Sequence, residues 1–394
     1  MASISLINKV KYSRILYYLY FYLGSLFIRI LKIFLRKEDN LIVFSSYGGR
    51  RFDDSPKVLY DLMIKDNRFS NYSIVWAFID PTKFQLPKGQ IVRVDTFDYY
   101  KTLLKARVWI TNTTMNRGLD FTGINTVSFN TWHGTPIKYI GSDVDSGKKT
   151  FTTKSKSKIS DILIAQGEYD RAIFSRCFEM PITSIKVIGL PRNDELLPKK
   201  SILRVKELRE KLGIPEGKKV ILYAPTFREY EKDGSNCILS LPINLIKWQQ
   251  KLGNKYVLLL RAHHEVVKLM NINENDFMKN VSNYPNLNEL MIASDILISD
   301  YSSIYFDFSI QAKPMICFAY DYEKYKKERG LYFDIRKELH DEEIKSEDDL
   351  INALLNINIE DRVKITEAFR DKYIQAYGDA GKKSLDLIYA SIHK

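Results

Sequence analysis

The sequence predicts an α/β protein of two doubly wound halves, each a parallel sheet between helices, preceded by an amphipathic helix. Three observations predict it. Short apolar runs bounded by polar or glycine-bearing turns alternate with stretches of helical periodicity, the pattern of βαβ units. The pattern occurs twice, and 394 residues suit two cores better than one. Ahead of the first strand, apolar and aromatic residues are interleaved with Lys and Arg.

Composition bounds the function classes. A chain with 45% hydrophobic and 27% charged residues folds and is not disordered. The formal charge of +12 directs it to anionic partners: nucleic acid, phosphorylated substrates or acidic lipid. Aromatic content of 13%, with 25 tyrosines, suits a membrane interface or stacking surfaces, and charge does not choose among these. Cys177, Cys237 and Cys317 are odd in number and show no metal-ligand spacing, which reads as reduced, mostly buried thiols in a cytosolic chain.

Lys9 to Lys37 opens the chain, with an apolar run from Ile15 to Ile28 broken by Gly24 and Ser25. Arg29, Lys32, Arg36 and Lys37 then alternate with apolar residues, and no small-residue cleavage site follows, so a cleaved secretory signal is not expected. The uninterrupted run is shorter than the roughly 20 residues needed to cross a bilayer. The pattern fits a helix lying in the cytoplasmic interface, held by apolar burial and by about 1 kcal/mol per basic residue near anionic lipid. A buried helix or a single span are the alternatives.

In the first half, Leu41–Ser46, Ser73–Phe78, Gln90–Val94 and Arg107–Asn112 read as strands, and Lys57–Asp66 and Thr96–Ala106 as helices. Ser45 to Arg51 is a polar, glycine-containing βα turn. The strand Asn125–Asn130 ends in Thr131 to Lys138, where Gly134 permits a tight turn and Pro136 suits the first turn of a helix capped by Thr135. His133 therefore sits at a strand's carboxyl end, placed to take a proton from an attacking hydroxyl near neutral pH. The alternative is a structural histidine bonded beside Trp132. Lys148 to Lys158 reads as a Ser/Thr/Lys loop, Asp161–Gln166 as a strand, and Ser184 to Asp194 closes the half.

A helical connector from Ile202 to Leu212 leads to the strand and turn Lys219–Arg228. Tyr256–Leu260 is the next strand, delivering Arg261, His263 and His264 at its carboxyl end. Arg261 can hold phosphate oxygens bidentately, and strand alternation puts His263 on its side, with His264 as an idle neighbour. Ile296–Ile298 is a further strand. The turn Ser299 to Ser303 then leads into an amphipathic helix, Ile304–Ile310, whose first N–H groups and dipole suit phosphate. Ser302 and Ser303 can bond phosphate oxygens or merely cap that helix. Pro314–Ala319 is a strand, and Asp348–Lys394 reads as helices crossing back over the first half. No glycine-rich phosphate loop, CxxC pair or Ser-His-Asp hydrolase arrangement occurs.

Six motifs recur in order between Leu41 and Asp334. They are Trp132-His133-Gly134-Thr135-Pro136 with Lys138 and Gly141; Gly189-Leu190-Pro191-Arg192-Asn193-Asp194; Tyr223-Ala224-Pro225-Thr226-Phe227-Arg228; Arg261-Ala262-His263; Ser299-Asp300-Tyr301-Ser302-Ser303 with Phe306-Asp307; and Lys313-Pro314 through Tyr320-Asp321. Together they resemble the CDP-glycerol glycerophosphotransferase family, the teichoic acid primases and polymerases that build polyol-phosphate chains on the inner face of the bacterial membrane. The resemblance implies two Rossmann-like domains facing across a cleft, a GT-B-like fold. The expected limits are 1–39 for the membrane-associating segment, 40–198 for the acceptor domain, 199–360 for the CDP-glycerol domain, and 361–394 for helices returning to the first.

The implied reaction is attack by a hydroxyl of a lipid-linked acceptor on the phosphate attached to glycerol, with CMP leaving. His133 and His263 are the implied catalytic residues, and His264 departs from the family pattern. Arg261, Ser302, Ser303, Asp300, Thr226, Arg228 and Tyr301 fall on the donor side, and Thr135, Lys138 and Asn193 on the acceptor side. Asp300 and Asp307 would bind ribose or pair locally. An Asp-rich cluster is missing, so an obligatory metal is not expected, although Mg²⁺ can accompany the diphosphate. The implied partners are CDP-glycerol, a prenyl-diphosphate-linked saccharide or polyol-phosphate acceptor, and an anionic membrane surface, with the protein peripheral on its cytoplasmic face and no nucleic acid bound. The rival readings are a CDP-ribitol-dependent transferase, a GT-B glycosyltransferase using a nucleotide sugar, and a non-catalytic basic module for membrane or RNA.

Overall fold

The computed structural model describes residues 13–144, 160–226, 228, 232–233, 236–237, 241–262 and 274–393. The Lys148–Lys158 run, Phe227, His263 and His264 lie outside the described residues, as does the Cys237 side chain. Cys177 and Cys317 are buried and form no disulfide. By its contacts the chain divides into one unit of Met1–His133, Ile140–Asp194 and Asp379–Lys394, and another of Gly134–Tyr139 and Glu195–Gly378.

The apolar runs of the first half become strands of one parallel sheet: β1 (Glu38–Ser45), β2 (Ser73–Phe78), β3 (Gln90–Arg93), β4 (Ala106–Thr111), β5 (Val127–Asn130), β6 (Ile162–Ala165) and β7 (Ile185–Val187). Their order is β3-β2-β1-β4-β5-β6-β7. Both faces are covered, so successive residues of β1 serve different layers. Ile42 and Phe44 join Tyr60, Met63 and Ile388, beneath the helices Asp54–Met63 and Ala380–Ile392. Leu41 and Val43 join Tyr99, Leu103 and Ile28 on the opposite face. The C-terminal helix is fixed at its start by Asp194, whose carboxylate accepts the N–H groups of Ala380 at 2.9 Å and Gly381 at 2.8 Å.

The second unit repeats the arrangement with β8 (Lys219–Tyr223), β9 (Tyr256–Leu260), β10 (Met278–Asn280), β11 (Ile296–Ser299) and β12 (Met315–Cys317), in the order β10-β9-β8-β11-β12. All pairs are parallel. Each sheet therefore reverses its direction of growth between its first strand and its fourth. A doubly wound sheet binds ligands outside the carboxyl ends of those two strands. In the first unit these are β1 and β4, and in the second β8 and β11.

Two local expectations are corrected. The segment after Thr135 is not a helix. Residues 137–139 run antiparallel to 330–332, with Tyr139 N–H donating to Gly330 at 3.1 Å and Tyr332 N–H to Ile137 at 2.9 Å. Thr135 and Ile137 are buried, and this distant partner supplies the hydrogen bonds a helix would have made. The helix after Ser303 runs from Ile304 to Ser309 and is buried on every side instead of amphipathic, because it is sandwiched beneath β11 and the helix Ile359–Tyr373.

The N-terminal helix spans Arg14–Phe34, capped by Ser13, and by length and composition it could cross a membrane. It lies along the first unit. Tyr20 Oη donates to the Arg117 carbonyl at 2.8 Å, Ser25 Oγ accepts the Asp120 N–H at 3.0 Å, and Arg29 pairs with Asp120 at 2.8 Å. Gly24 makes the approach possible, since a Cβ there would come within 2.6 Å of Leu119. Its other face is apolar and open: Leu19, Leu23, Leu26 and Ile33 are 54%, 59%, 54% and 78% exposed.

Candidate active site

Each switch point holds a polar centre. In the first unit, Asn112 directly follows β4, and β5 leads through Trp132 to His133. Trp132 takes a left-handed backbone conformation, φ +53°, and its N–H is held by Asn130 Oδ1 at 2.8 Å. This turn stacks the indole on the imidazole, ring centres 4.3 Å apart. His133 Nδ1 lies 2.8 Å from the Asn112 carbonyl. A carbonyl can only accept, so the neutral ring carries its proton on Nδ1 and presents the Nε2 lone pair outward from that bond. Burial lowers the His133 pKa from 6.5, outweighing the Asn112 bond and the Asp54 carboxylate that raise it. Near neutral pH the ring is an uncharged base with a fixed tautomer.

The loop after β1 completes this centre. Asn112 Oδ1 accepts the Tyr47 N–H at 2.8 Å, and the Tyr47 ring sits 5.9 Å from the His133 ring. Tyr47 Oη donates to Asp54 at 2.6 Å, and Arg192 Nη1 reaches the same carboxylate oxygen at 2.7 Å. Burial alone would raise the Asp54 carboxyl, but Arg192, Tyr47 and the Ser55 N–H hold it below the usual range. Asp54 is therefore an anion that orients Tyr47 and lies close enough to act on His133.

In the second unit, the turns after β8 and β11 are tied by Arg228. Its Nη1 reaches Asp300 at 2.9 Å, and Nε and Nη2 grip both oxygens of Asp321 at 2.8 and 2.9 Å. Asp300 in turn accepts the backbone N–H groups of Thr226 at 2.9 Å and Tyr301 at 2.6 Å. Tyr301 Oη donates to Asp321 at 2.9 Å, and its ring stacks on Tyr325 with centres 3.8 Å apart. The guanidinium carbon lies 5.0–5.4 Å from the rings of Tyr325, Tyr301 and Tyr320.

The structure sorts the expected residues. Arg228, Asp300 and Tyr301 are buried and bonded to one another or to Asp321, so they brace two turns. Arg261 lies at the end of β9 and its Nη1 donates to the carbonyls of Val281 at 3.1 Å and Tyr284 at 2.8 Å. Ser302 accepts the Ile304 N–H at 3.3 Å, and Ser303 caps by position without a side-chain bond. Both serines are partly open. The Thr226 hydroxyl is buried with no partner among the described residues. Asn193 is buried and donates to Gln166 Oε1 at 2.8 Å, Thr135 is buried, and Lys138 bridges to Leu331. Thr135 and Lys138 belong to the second unit by their contacts, whereas His133 and Asn193 belong to the first. Among the described residues no group of His, Cys, Asp and Glu is arranged to hold a metal ion. Tyr47, Asp54 and Asn112 were not expected from sequence, because their meeting depends on strand order. Arg192 and Asp321 stood inside quoted motifs without an assigned role.

The sequence profile of CDP-Glycerol:Poly(glycerophosphate) glycerophosphotransferase matches residues 27–393. The chain belongs to this glycerophosphotransferase family. It is 34% identical over 381 residues to a teichoic acid poly(glycerol phosphate) polymerase of Staphylococcus epidermidis, covering 90% of this chain but only 52% of that protein. It thus spans about half the length of that relative. A teichoic acid glycerol-phosphate transferase of Staphylococcus aureus is 33% identical over 81% of this chain and 84% of its own length. The ribitol-phosphate polymerase TarL of the same organism is more distant, at 27% over 91% of this chain and 63% of its own. Among solved structures, that of the wall teichoic acid polymerase TagF superposes with a TM-score of 0.81 at 31% identity, covering 93% of both chains. Two parallel α/β units of GT-B-like type, expected from the motifs, are the architecture of this chain.

Proposed function

We propose that the chain transfers glycerol phosphate from CDP-glycerol to a hydroxyl of a lipid-linked teichoic acid acceptor or related polyol-phosphate chain. The observation that carries this reading is His133, neutral, with its tautomer set by the Asn112 carbonyl. The acceptor hydroxyl loses its proton to His133 Nε2 as its oxygen bonds to the phosphorus bearing glycerol. The bond from that phosphorus to the bridging oxygen of the diphosphate breaks, and CMP departs with the electron pair. Such a transfer needs positioning and charge stabilisation more than covalent help. Thr226, Ser302, Ser303 and Arg261, at the carboxyl ends of β8, β11 and β9, are the described groups offered to the diphosphate. His263, through the family resemblance, would stabilise the leaving phosphate. Glycerol is preferred to ribitol because the glycerol-phosphate relatives match more closely over most of the chain.

The N-terminal helix supports a peripheral position on the cytoplasmic leaflet. Its docked face is tied to the first unit at Tyr20, Ser25 and Arg29, and a spanning helix would have to break those contacts. Its open apolar face, flanked by basic residues, suits the interface.

The test is incubation of the full chain with a prenyl-diphosphate-linked saccharide and either CDP-glycerol or CDP-ribitol, with the product weighed by mass spectrometry. Glycerol phosphate addition with CMP release is expected. His133→Ala should slow transfer by about 10²–10⁴ while CDP-glycerol still binds. Normal turnover by that variant would remove His133 from the mechanism, and transfer of a sugar would overturn the reading altogether.

A further inference from the structure

The loop between β1 and the helix Asp54–Met63 places Tyr47 beside His133 at the first unit's switch point, but its arginines are not used in the chemistry above. Tyr47, Gly48 and Gly49 take successive left-handed conformations, φ +47°, +64° and +87°, and Ser46 bridges to Arg51 to close the turn. Gly49 pins it from below: its carbonyl accepts the Ile79 N–H at 2.8 Å, and a Cβ would strike Val94 at 2.8 Å. Gly48 at the tip is open. The nearest atoms to a Cβ built there are two guanidinium nitrogens, Arg50 Nη1 at 3.9 Å and Arg117 Nη1 at 4.0 Å. Arg51 stands over the Tyr47 ring, its Cζ 5.2 Å from the centre.

The charges here do not cancel. Arg117 grips Asp95 with two bonds at 2.8 and 2.7 Å, Arg192 holds Asp54, and Arg51 lies 3.5 Å from Asp53. Arg50 is exposed, donates to the Tyr47 carbonyl at 3.1 Å, and has no carboxylate partner among the described residues. A rigid tip whose surplus is cationic, with guanidinium forks converging over a glycine, is chemistry for an oxyanion of phosphate geometry. The same loop is linked to the open apolar helix through Arg117, whose carbonyl accepts from Tyr20 at 2.8 Å, and to His133 through Tyr47.

We propose that Arg50 and Arg51, with the Gly48 tip and Arg117 beside it, form a phosphodiester-binding site between the apolar helix and His133. The inference deepens the proposed function: the site would hold a phosphate of the acceptor while its terminal hydroxyl reaches the base. An anionic lipid headgroup offers the same chemistry.

The test is direct binding, without CDP-glycerol. Full chain is titrated with a soluble three-unit glycerol phosphate oligomer and, separately, floated with phosphatidylcholine vesicles containing or lacking phosphatidylglycerol. Arg50→Gln/Arg51→Gln should weaken one anionic arm by about tenfold or more, consistent with the loss of charge-assisted hydrogen bonds. Loss in the oligomer arm assigns the site to the acceptor, and loss in the phosphatidylglycerol arm to a headgroup. Arg50→Lys/Arg51→Lys should recover part of the affinity, which separates lost charge from misfolding. Affinity unchanged in both arms, or lost equally in the lysine variant, overturns the site. None of these readouts needs turnover, so a chain that fails to use CDP-glycerol would defeat the proposed function and leave this inference to its own result.

Discussion

Replacing Asp321 by Ala should be among the most damaging single changes in the second unit. The side chains of Arg228, Asp300 and Asp321 are 5%, 3% and 10% exposed, with contacts at 2.9 and 2.8 Å. At an effective dielectric of about 20, each contact represents about 6 kcal/mol of gross attraction, largely spent on desolvating the ions. The net value of the intact triad is therefore small, but removing Asp321, although it leaves Arg228 and Asp300 as a one-to-one pair, takes the acceptors from the buried Nε and Nη2 donors of Arg228 at a cost of about 1–3 kcal/mol each. Tyr301 Oη loses its acceptor as well, adding about 1–3 kcal/mol. Asp321→Asn keeps the shape and an acceptor, so it should fall at the low end. Asp61→Ala is the control, because its pair with Lys57 is 39% and 38% exposed and should cost no more than about 1 kcal/mol. Urea unfolding of the three variants against the parent is the assay. A shift for Asp321→Ala no larger than for Asp61→Ala would refute the claim that the triad braces the turns after β8 and β11.

Other expectations follow from the same geometry. If His133 is the base, its deprotonated form is active, and burial has lowered its pKa below 6.5; kcat/KM for the acceptor should thus lose activity only below that pH, and an acidic limb above 6.5 would contradict the assignment. Asp341, pushed up to about 6 by burial despite Arg362, keeps its proton in the folded state after the unfolded chain has lost it near 3.8. Stability should therefore fall as pH rises from about 4 to 6, by about 3 kcal/mol from this group, and Asp341→Asn should flatten that slope in urea titrations. Asp substitutions at Leu19, Leu23 and Leu26 together should release the protein from phosphatidylglycerol vesicles in flotation without changing its thermal unfolding, since all three lie on the open face of the N-terminal helix.

Strands buried on both faces were legible because a parallel sheet needs continuous apolar runs, and Ser73–Phe78 needed no adjustment. Met278–Asn280 was missed, being a short edge strand with a polar end. The helix expected after Thr135 failed for a different reason: its hydrogen-bond partners, residues 330–332, are far along the chain. The histidine motif announced a site at a strand end, yet Asn112 and Tyr47 could be placed beside it only once β4 was known to adjoin β1. Arg228 was expected on the donor side through the family resemblance. The carboxylates that occupy it are 72 and 93 residues away, and no local pattern reports them.

The occupation of Arg228 changes where the donor's charge must be met. Two carboxylates surround one guanidinium, so among the described residues the Arg228 cluster brings no surplus of positive charge to a diphosphate. What this triad provides is position: it fixes the Thr226 and Tyr301 backbone through Asp300 and keeps the Ser302–Ser303 turn in register with β8. Hydroxyls and backbone N–H groups held in place stabilise charge as it develops without reorganising, which is how a phosphoryl-transfer site can work with few free cations. On the proposed reading, the charge-bearing partner of the diphosphate among the described residues is Arg261, at the end of the neighbouring strand β9. Arg261→Gln should then weaken CDP-glycerol binding directly, whereas Arg228→Lys should act by loosening the turns, lowering stability and affinity together.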